Sequence, residues 1–362
     1  MTAPPPRVAL GPGYTISRVI KGGWQLAGGH GPIDRAAALA DMHAFVEAGV
    51  TTFDCADIYT GVEDLIGAFV RDRGRAGDLQ IHTKYVPDLS QLGRLTRADV
   101  AAAIARSLRR LGVETLDLVQ FHWWDYDAPG LVEAAGWLAD ERSAGRIRHL
   151  GVTNLDTPTL ARLLDAGLPI VSHQVQYSVL DQRPAGAMTT LCADRGVRLL
   201  CYGTVAGGFL SARMLDVPPP ADPLENRSLV KYRLIIEEAG GWARFQRLLH
   251  TLAAVAARYG VDPGTVASAW VLGRRQVAAV IVGARHRRHL AATVAAASLT
   301  LRDDDVRAID AAVAAGPAVA GDVYGLERDK GGRHAAIMRY ELNTGGARDS
   351  GLGARGEPGP TG

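Results

Sequence analysis

Short apolar runs rich in β-branched residues alternate along the chain with longer segments in which apolar residues recur at helical spacing. The short runs predict eight strands, at residues 18–22, 51–54, 80–84, 116–122, 149–153, 172–177, 198–202 and 278–283. Helical patterns follow at residues 34–48, 62–73, 96–111, 130–144, 157–166, 185–194, 245–259 and 287–297. The alternation therefore predicts eight consecutive strand–helix units.

Eight such units favour an α/β fold of the (β/α)8 type, the TIM barrel, because the right-handed crossover rule then applies in the same sense at every step. An open, doubly wound sheet is the competing fold. That fold would require a G-x-G-x-x-G turn after its first strand, and the glycines near residues 22–31 lack this spacing. The barrel is the prediction.

Three segments depart from the alternation. VALGPGYTI, at residues 8–16, predicts a hairpin that covers the amino end of the barrel. The long, proline-interrupted segment 210–242 follows the seventh strand, where a barrel carries its active site, and we expect it to form a lid over a ligand. DDDVRAIDAAVAA predicts one more helix. We expect residues 1–343 to form one domain and residues 344–362 a disordered tail.

The amino-acid composition of the chain makes some classes of function and partner improbable. With 40 basic and 38 acidic residues the formal charge is only +2, which favours neither nucleic acid nor a membrane surface as partner. The three cysteines lack C-x-x-C spacing, and no apolar run suggests a signal peptide or a membrane span. We therefore expect a cytoplasmic protein that acts on a small molecule; the residues predict no oligomeric state.

Four polar residues mark the predicted carboxyl ends of consecutive strands, the end at which such barrels carry their active sites. Asp54, Lys84 and His122 end the second, third and fourth strands, and Tyr59 follows in the loop after Asp54. Each alone has an ordinary structural explanation, as a capping group, a surface charge or a buried histidine. Their joint occurrence on neighbouring strands predicts a catalytic site.

These residue types suit hydride transfer to a carbonyl, which needs an acid for the oxygen that gains negative charge. A tyrosine with an ordinary pKa of about 10 can be that acid if an ammonium group stabilises its phenolate. We expect Lys84 to lower the pKa of Tyr59, Asp54 to keep Lys84 charged, and His122 to donate a hydrogen bond to the carbonyl oxygen. A Schiff-base aldolase that uses Lys84 is an alternative, disfavoured because Asp54 would keep the amine protonated.

FDCADIY, HTK and LDLVQFHW, at residues 53–59, 82–84 and 116–123, resemble the catalytic signatures of the aldo-keto reductase superfamily. The resemblance implies that Tyr59 is the general acid, and that the cofactor is NADPH, or less often NADH, without a metal. QYSVLDQRP and the long segment after strand seven resemble the bacterial and potassium-channel β-subunit-like branch more than the aldose-reductase branch. Because members of this branch can bind NADP tightly and turn over slowly, a regulatory or redox-sensing subunit is a second reading.

The resemblance covers roughly residues 18–310 and implies a cofactor site built from several loops. Thr153 and Asn154, with Gln174, would bind the nicotinamide carboxamide, and Tyr202 would stack on the ring. The remaining contacts to the nicotinamide and the pyrophosphate would come from Gly23, Trp24, Gly203, Thr204, Val205, Gly207, Arg213 and Arg227.

VGARHRRHL, at residues 282–290, resembles the segment that binds the adenosine 2′-phosphate, and implies contacts from Gly283, Arg285, His289 and Thr293. Related chains have Glu-Asn where this one has Ala292 and Thr293. The clustered arginines favour NADP over NAD, because a second phosphate needs positive donors. A solvated basic helix start is the plain alternative for the arginines after residue 286.

Three tryptophans are candidates for the substrate pocket. Trp24, Trp123 and Trp124 follow the first and fourth strands and would surround the entrance to the site. Their rings suit an apolar or planar aldehyde, ketone or sugar, although bulky aromatic residues near a barrel rim also serve as packing.

Overall fold

The computed structural model describes residues 4–74, 77–283 and 285–343. Eight parallel strands form a closed barrel in which consecutive strands are neighbours and the last pairs with the first. An antiparallel hairpin of β1 (Arg7–Gly11) and β2 (Tyr14–Ser17) precedes them. The barrel strands are β3 (Val19–Gly22), β4 (Thr52–Asp54), β5 (Gln80–Tyr85), β6 (Leu116–Phe121), β7 (Ile147–Thr153), β8 (Ile170–Gln176), β9 (Arg198–Tyr202) and β10 (Val277–Gly283). The predicted (β/α)8 barrel with its amino-terminal hairpin is confirmed.

Helices connect the strands around the outside of the barrel. They are α1 (Arg35–Glu47), α2 (Val62–Arg73), α3 (Arg97–Leu111), α4 (Leu131–Ser143), α5 (Thr157–Asp165), α6 (Ala187–Asp194), α7 (Arg227–Glu238), α8 (Gly241–Tyr259), α9 (Pro263–Leu272), α10 (Leu290–Ser298), α11 (Asp303–Ala314) and the short α12 (Gly325–Arg328). Side-chain caps fix several starts: Thr96 and Asp99 form a reciprocal capping box at α3, for example. The pattern of apolar residues predicted no separate helix at α7, α9 or α12.

Strand alternation divides the side chains between the lumen and the outer core. Phe53 packs outward against Phe69 of α2, with ring centroids 5.5 Å apart, and Asp54 therefore points into the lumen. In register, Asp54 is paired with His82, and Lys84 with Gln120 on the next strand. Polar side chains thus meet near the carboxyl end of the lumen, which we call the mouth.

The hairpin closes the amino end of the lumen. Leu10, Tyr14 and Ile16 are buried in one apolar cluster with the lumen residues Ile20 and Leu118. The hydroxyl of Tyr14 also lies 3.0 Å from Nε2 of His82 inside the barrel. The amino end is therefore filled by side chains.

Two segments cover the mouth. Helix α7, the lid helix, lies within the predicted lid segment 210–242 and contacts the loops after β3 and β9. The second is residues 319–343, here called the strap, which the sequence pattern did not reveal. Its Arg328 donates to the carbonyl oxygens of Asn154 (2.8 Å) and Trp123 (2.7 Å), so the strap is fastened across the ends of β7 and β6.

Within the described residues no helix is long and apolar enough to cross a membrane. Cys55, Cys192 and Cys201 are buried and unpaired. The predicted tail, residues 344–362, lies outside the described part of the chain.

Candidate active site

A buried ion pair forms the base of the site. Nζ of Lys84 lies 2.6 Å from Oδ2 of Asp54 and donates a second hydrogen bond to the carbonyl oxygen of Cys55 at 2.9 Å. Both side chains are about 95% buried, with exposed fractions of 5% and 4%. A buried ammonium is stable only with such partners, so Asp54 and Cys55 hold Lys84 charged and in one position.

Two glutamine amides fix the other oxygen of Asp54. Nε2 of Gln120 lies 2.9 Å from Oδ1 and Nε2 of Gln174 lies 2.7 Å from it. Nε2 of Gln174 also donates to Oε1 of Gln120 at 3.0 Å, so both of its hydrogens are used and only its Oε1 could serve the predicted carboxamide contact. Gln120 was not among the predicted site residues, although it points into the lumen two residues before His122.

Tyr59 lies beside this ion pair. Nζ of Lys84 is 5.1 Å from the centre of the Tyr59 ring. Burial, reinforced by the charge of Asp54, raises the pKa of Tyr59 well above its usual value of 10. In the protein alone, burial and Asp54 therefore outweigh any lowering of this pKa by Lys84: the phenol keeps its proton, and the ammonium lies close enough to its ring to stabilise a phenolate once the proton has left.

His122 faces the same space. Nδ1 lies 3.0 Å from the carbonyl oxygen of Thr153, an acceptor, so Nδ1 carries the hydrogen. Burial and the charge of Arg328 lower the pKa of His122 to about 3, which leaves the ring neutral. Nε2 is buried without a partner and therefore presents a lone pair. The expectation that His122 donates to a carbonyl oxygen is wrong in this arrangement; its free nitrogen accepts.

The three tryptophans have different environments. Trp24 is 38% exposed and meets the ring of Tyr59 edge-on at 5.1 Å, and Trp124 meets the ring of His122 edge-on at 4.3 Å. Trp123 is fully buried and packs outward near Phe121. The prediction that Trp123 lines the entrance is wrong, because adjacent residues of a strand point to opposite sides.

Side chains from the ends of β7 and β9 meet close to Gln174, which binds Asp54. The hydroxyl of Tyr202 donates to Oδ1 of Asn154 at 2.9 Å, and Asn154 itself has a left-handed backbone, with φ of 57°. Oγ1 of Thr153 donates to the carbonyl oxygen of Gln174 at 3.2 Å. At β3, a Cβ on Gly23 would lie 2.8 Å from the backbone oxygen of Asp54, so the close approach of β3 to β4 requires glycine.

The loop after β9 is built on tight turns. Gly203 and Gly207 have left-handed φ values of 79° and 66°, which favour glycine, and the backbone N–H groups of Ala206 and Gly208 donate to carbonyl oxygens within the loop. Thr204 is buried against Ser268, at 2.9 Å, and anchors the loop next to Val205. The guanidinium of Arg213 lies against Gly208, 2.9 Å from where a Cβ would be.

Several arginine and histidine side chains lie close together around the loop after β10. Burial lowers the pKa of His289, and the charges of Arg288, His286 and Arg213 lower it further. Arg285 donates to the carbonyl oxygens of His30 and Pro32 in the loop after β3. Thr293 is buried on α10, and Gly283 leaves room for the side chain of Gln25. A phosphate would relieve this mutual repulsion, so the donors fit a phosphate-bearing nucleotide.

Three residues of the lid helix and the strap lie against the side chains at the mouth, and none of them was among the predicted site residues. Lys231 of the lid helix donates to the hydroxyl of Tyr202 at 3.3 Å and lies 4.9 Å from the centre of its ring. Tyr324 of the strap meets the ring of His122 edge-on at 5.7 Å. Glu327 of the strap binds Arg183 at 2.9 Å and approaches Lys231 at 3.7 Å.

Comparison with known proteins decides the family. The model of the Aldo/keto reductase family matches residues 18–314. The chain belongs to the aldo/keto reductase family. It is therefore an oxidoreductase of carbonyl or alcohol substrates, from a family that uses nicotinamide cofactors.

Proteins similar to this aldo/keto reductase come from several organisms. It is 32% identical over 59% of its length to flagellar radial spoke protein 5 of Chlamydomonas reinhardtii, and the match spans 48% of that protein. It is 25% identical to the NADH-specific methylglyoxal reductase of Escherichia coli, over 80% of this chain and 93% of that one. The structure of glycerol dehydrogenase AKR11B4 from Gluconobacter oxydans shares the fold, with a TM-score of 0.73 at 21% identity, over 85% and 95% of the two chains. The strap lies beyond the part that the family model matches.

Proposed function

We propose that this aldo/keto reductase is an NADP-dependent enzyme that interconverts a small aldehyde, ketone or sugar with its alcohol. The observation that carries the proposal is the arrangement of a protonated Tyr59 beside the buried Asp54–Lys84 pair, with His122 facing the same space. It provides an acid, a charge to stabilise its conjugate base, and aromatic walls from Trp24 and Trp124.

In reduction, the nicotinamide supplies the hydride when it is bound. As the hydride reaches the carbonyl carbon, the oxygen gains negative charge and takes the phenolic proton of Tyr59. The phenolate that remains is stabilised by the ammonium of Lys84, which Asp54 holds in place. In oxidation the same phenolate would accept the hydroxyl proton of the alcohol.

His122 acts in this reaction as a hydrogen-bond acceptor and not as a hydrogen-bond donor. Its neutral Nε2 accepts a hydrogen bond, and we assign that bond to the hydroxyl of Tyr59 or of the alcohol. Such a bond fixes the direction of the O–H group without adding charge. His122 is thus a positioning residue for the proton that moves.

The cofactor preference rests on charge. Arg213, Arg285 and Arg288 have no carboxylate within 4 Å among the described residues, and such donors suit both a pyrophosphate and a 2′-phosphate. We therefore propose NADP rather than NAD. We also propose that residues 1–343 act as one domain and that the protein is cytoplasmic, which its buried, unpaired cysteines support.

A regulatory subunit with slow turnover is the second candidate. The observation in its favour is the covered mouth: the lid helix and the strap both contact residues around Tyr202 and His122. A bound cofactor could leave only if these segments moved, which would favour retention over turnover.

Titration of the purified protein with NADPH and NADH, followed by steady-state assays with a panel of aldehydes, tests both candidates. The enzyme should show sustained turnover. A regulatory subunit should show one slow oxidation of bound NADPH per chain and no steady rate. Arg109→Gln removes an exposed charge from α3, far from the mouth, and should behave as the wild-type protein does in both assays.

A further inference from the structure

Three arginines without acidic partners lie on the strap side of the mouth. They are Arg227, the first residue of the lid helix, and Arg328 and Arg339 of the strap. Among the residues described, no carboxylate oxygen is within 4 Å of any of the three. Arg227 and Arg328 are partly buried and Arg339 is exposed. A partly buried guanidinium without a counter-ion is costly, so the collection of these cations in one place requires a reason.

Their contacts place them around Tyr324. The guanidinium carbon of Arg328 is 5.2 Å from the centre of the Tyr324 ring, which in turn meets His122 at 5.7 Å. Arg227 donates to the carbonyl oxygen of Ile337 in the strap. Burial lowers the pKa of Arg227, and the nearby charge of Arg339 lowers it further. Arg339 lies in the strap between Met338, whose Sδ is 3.9 Å from the hydroxyl of Tyr324, and Tyr340, whose ring meets that of Trp124 at 5.1 Å, so both cations belong to this side of the mouth.

The neighbouring carboxylates are bound by other groups. Asp181 and Glu327 are each bound by Arg183, and Lys231 approaches Glu327, so this buried group has two negative and two positive charges. Asp125, farther along the rim, pairs with Lys330 at 2.8 Å. Glu341 accepts hydrogen bonds from Ser90, and Asp322 accepts one from the backbone N–H of Thr157. A surplus of unpaired cations therefore remains at Arg227 and Arg339.

The proposed cofactor contacts do not account for this surplus. The cations assigned to its phosphates, Arg213 and Arg285, belong to the loops after β9 and β10. Arg328 instead binds backbone oxygens at the ends of β6 and β7. The side chain of Arg227 turns toward the strap. We therefore separate Arg227 from the cofactor contacts that the sequence resemblance implied for it.

We propose that the substrate of this enzyme carries an oxoanion group, a carboxylate or a phosphate, that binds between Arg227 and Arg339 while its carbonyl lies at Tyr59. This inference rests on the proposed carbonyl chemistry and adds the class of substrate. Trp24, Trp124 and Tyr324 would hold the carbon skeleton, and the two guanidinium groups would hold its charged end through charge-assisted hydrogen bonds.

Kinetics with a matched pair of aldehydes test the proposal. We expect kcat/KM for 4-carboxybenzaldehyde to exceed that for its neutral methyl ester, methyl 4-formylbenzoate, by about tenfold or more at low salt, as charge-assisted contacts allow. The ratio should fall as salt screens the charges. Arg339→Gln and Arg227→Gln should each lower the ratio several-fold, and Arg109→Gln, which removes the same charge from α3, should not. Glyceraldehyde 3-phosphate against glyceraldehyde provides the phosphate arm.

Equilibrium binding separates this inference from the proposed function. Calorimetric titration with benzoate and with benzamide, with and without NADP⁺, needs no turnover. Tighter binding of benzoate that Arg339→Gln and Arg227→Gln both weaken supports the anion site even if no aldehyde is reduced. Equal binding of benzoate and benzamide, together with equal kcat/KM for the acid and its ester in the wild-type protein, overturns it.

Discussion

Nδ1 of His122 donates its hydrogen to the carbonyl oxygen of Thr153, 3.0 Å away, and this one contact determines what the opposite nitrogen can do. With Nδ1 protonated and the pKa of the ring lowered to about 3, Nε2 is an acceptor throughout the physiological range. The histidine is therefore not a charge switch in this protein.

The first prediction concerns pH. Because the pKa of His122 is about 3 and that of Tyr59 is raised well above 10, neither group titrates between pH 5 and 8. We expect log kcat/KM to show no histidine inflection across that interval. Measurement in constant-ionic-strength buffers would contradict this if an inflection between pH 6 and 7 appeared and was lost in His122→Asn.

The second prediction concerns the acid. Tyr59→Phe removes the phenolic proton and keeps the ring that packs against Trp24. We expect kcat for aldehyde reduction to fall by about 10²-fold or more, the usual contribution of a positioned acid, while the Kd for NADPH changes little. Stopped-flow hydride transfer and fluorescence titration measure the two quantities. Undiminished turnover would reject Tyr59 as the proton donor.

The third prediction concerns the 2′-phosphate. Arg285→Ala should weaken NADPH binding by about tenfold and NADH binding much less, because only NADPH has the extra charge. Arg275→Ala is the control, since that exposed arginine precedes β10 at the opposite end of the barrel. Equal losses for both nucleotides would show that Arg285 acts through the loop at His30 rather than through a phosphate.

The fourth prediction concerns the strap. Although burial opposes it, Lys231 and Arg183 lower the pKa of Glu327 to about 2, so the strap is fastened by a carboxylate. Glu327→Gln should weaken that attachment and accelerate tryptic cleavage after Arg328 and Lys330 by at least severalfold. Mass spectrometry of the released fragment measures the rate, with the exposed Glu133→Gln as control. Unchanged cleavage would mean that other contacts hold the strap.

The fifth prediction concerns stability. Burial and the charge of Glu63 raise the pKa of Asp57 to about 8, far above its unfolded value of about 4. The native state then keeps a proton that the unfolded chain loses, so this group makes stability fall as pH rises from about 4 to 8. Asp57→Asn should stabilise the protein more at pH 9 than at pH 5, as urea unfolding would measure. The same effect at both values would contradict the raised pKa.

The sequence predicted the barrel well because each strand and most outer helices have their own local pattern. Asp54 and Lys84 were found because they end strands that the apolar runs delimit, and register then brings them together. The alternation of β6 also contained a signal that was not used: with His122 in the lumen, Trp123 had to point outward and Gln120 inward.

The strap could not be predicted in the same way. Its residues have neither helical nor strand periodicity, and their contacts, such as Glu327 with Arg183, span 144 positions of the chain. The raised pKa of Tyr59 and the lowered pKa of His122 likewise depend on burial, and the tautomer of His122 depends on a single backbone oxygen. Such effects follow from the assembled structure rather than from local residue patterns.

The hairpin at the amino end has a kinetic consequence. With Leu10, Tyr14 and Ile16 filling that end of the lumen, both reactants must approach the lumen from the mouth. Whichever reactant lies deeper must arrive first and depart last, so turnover should follow a compulsory order.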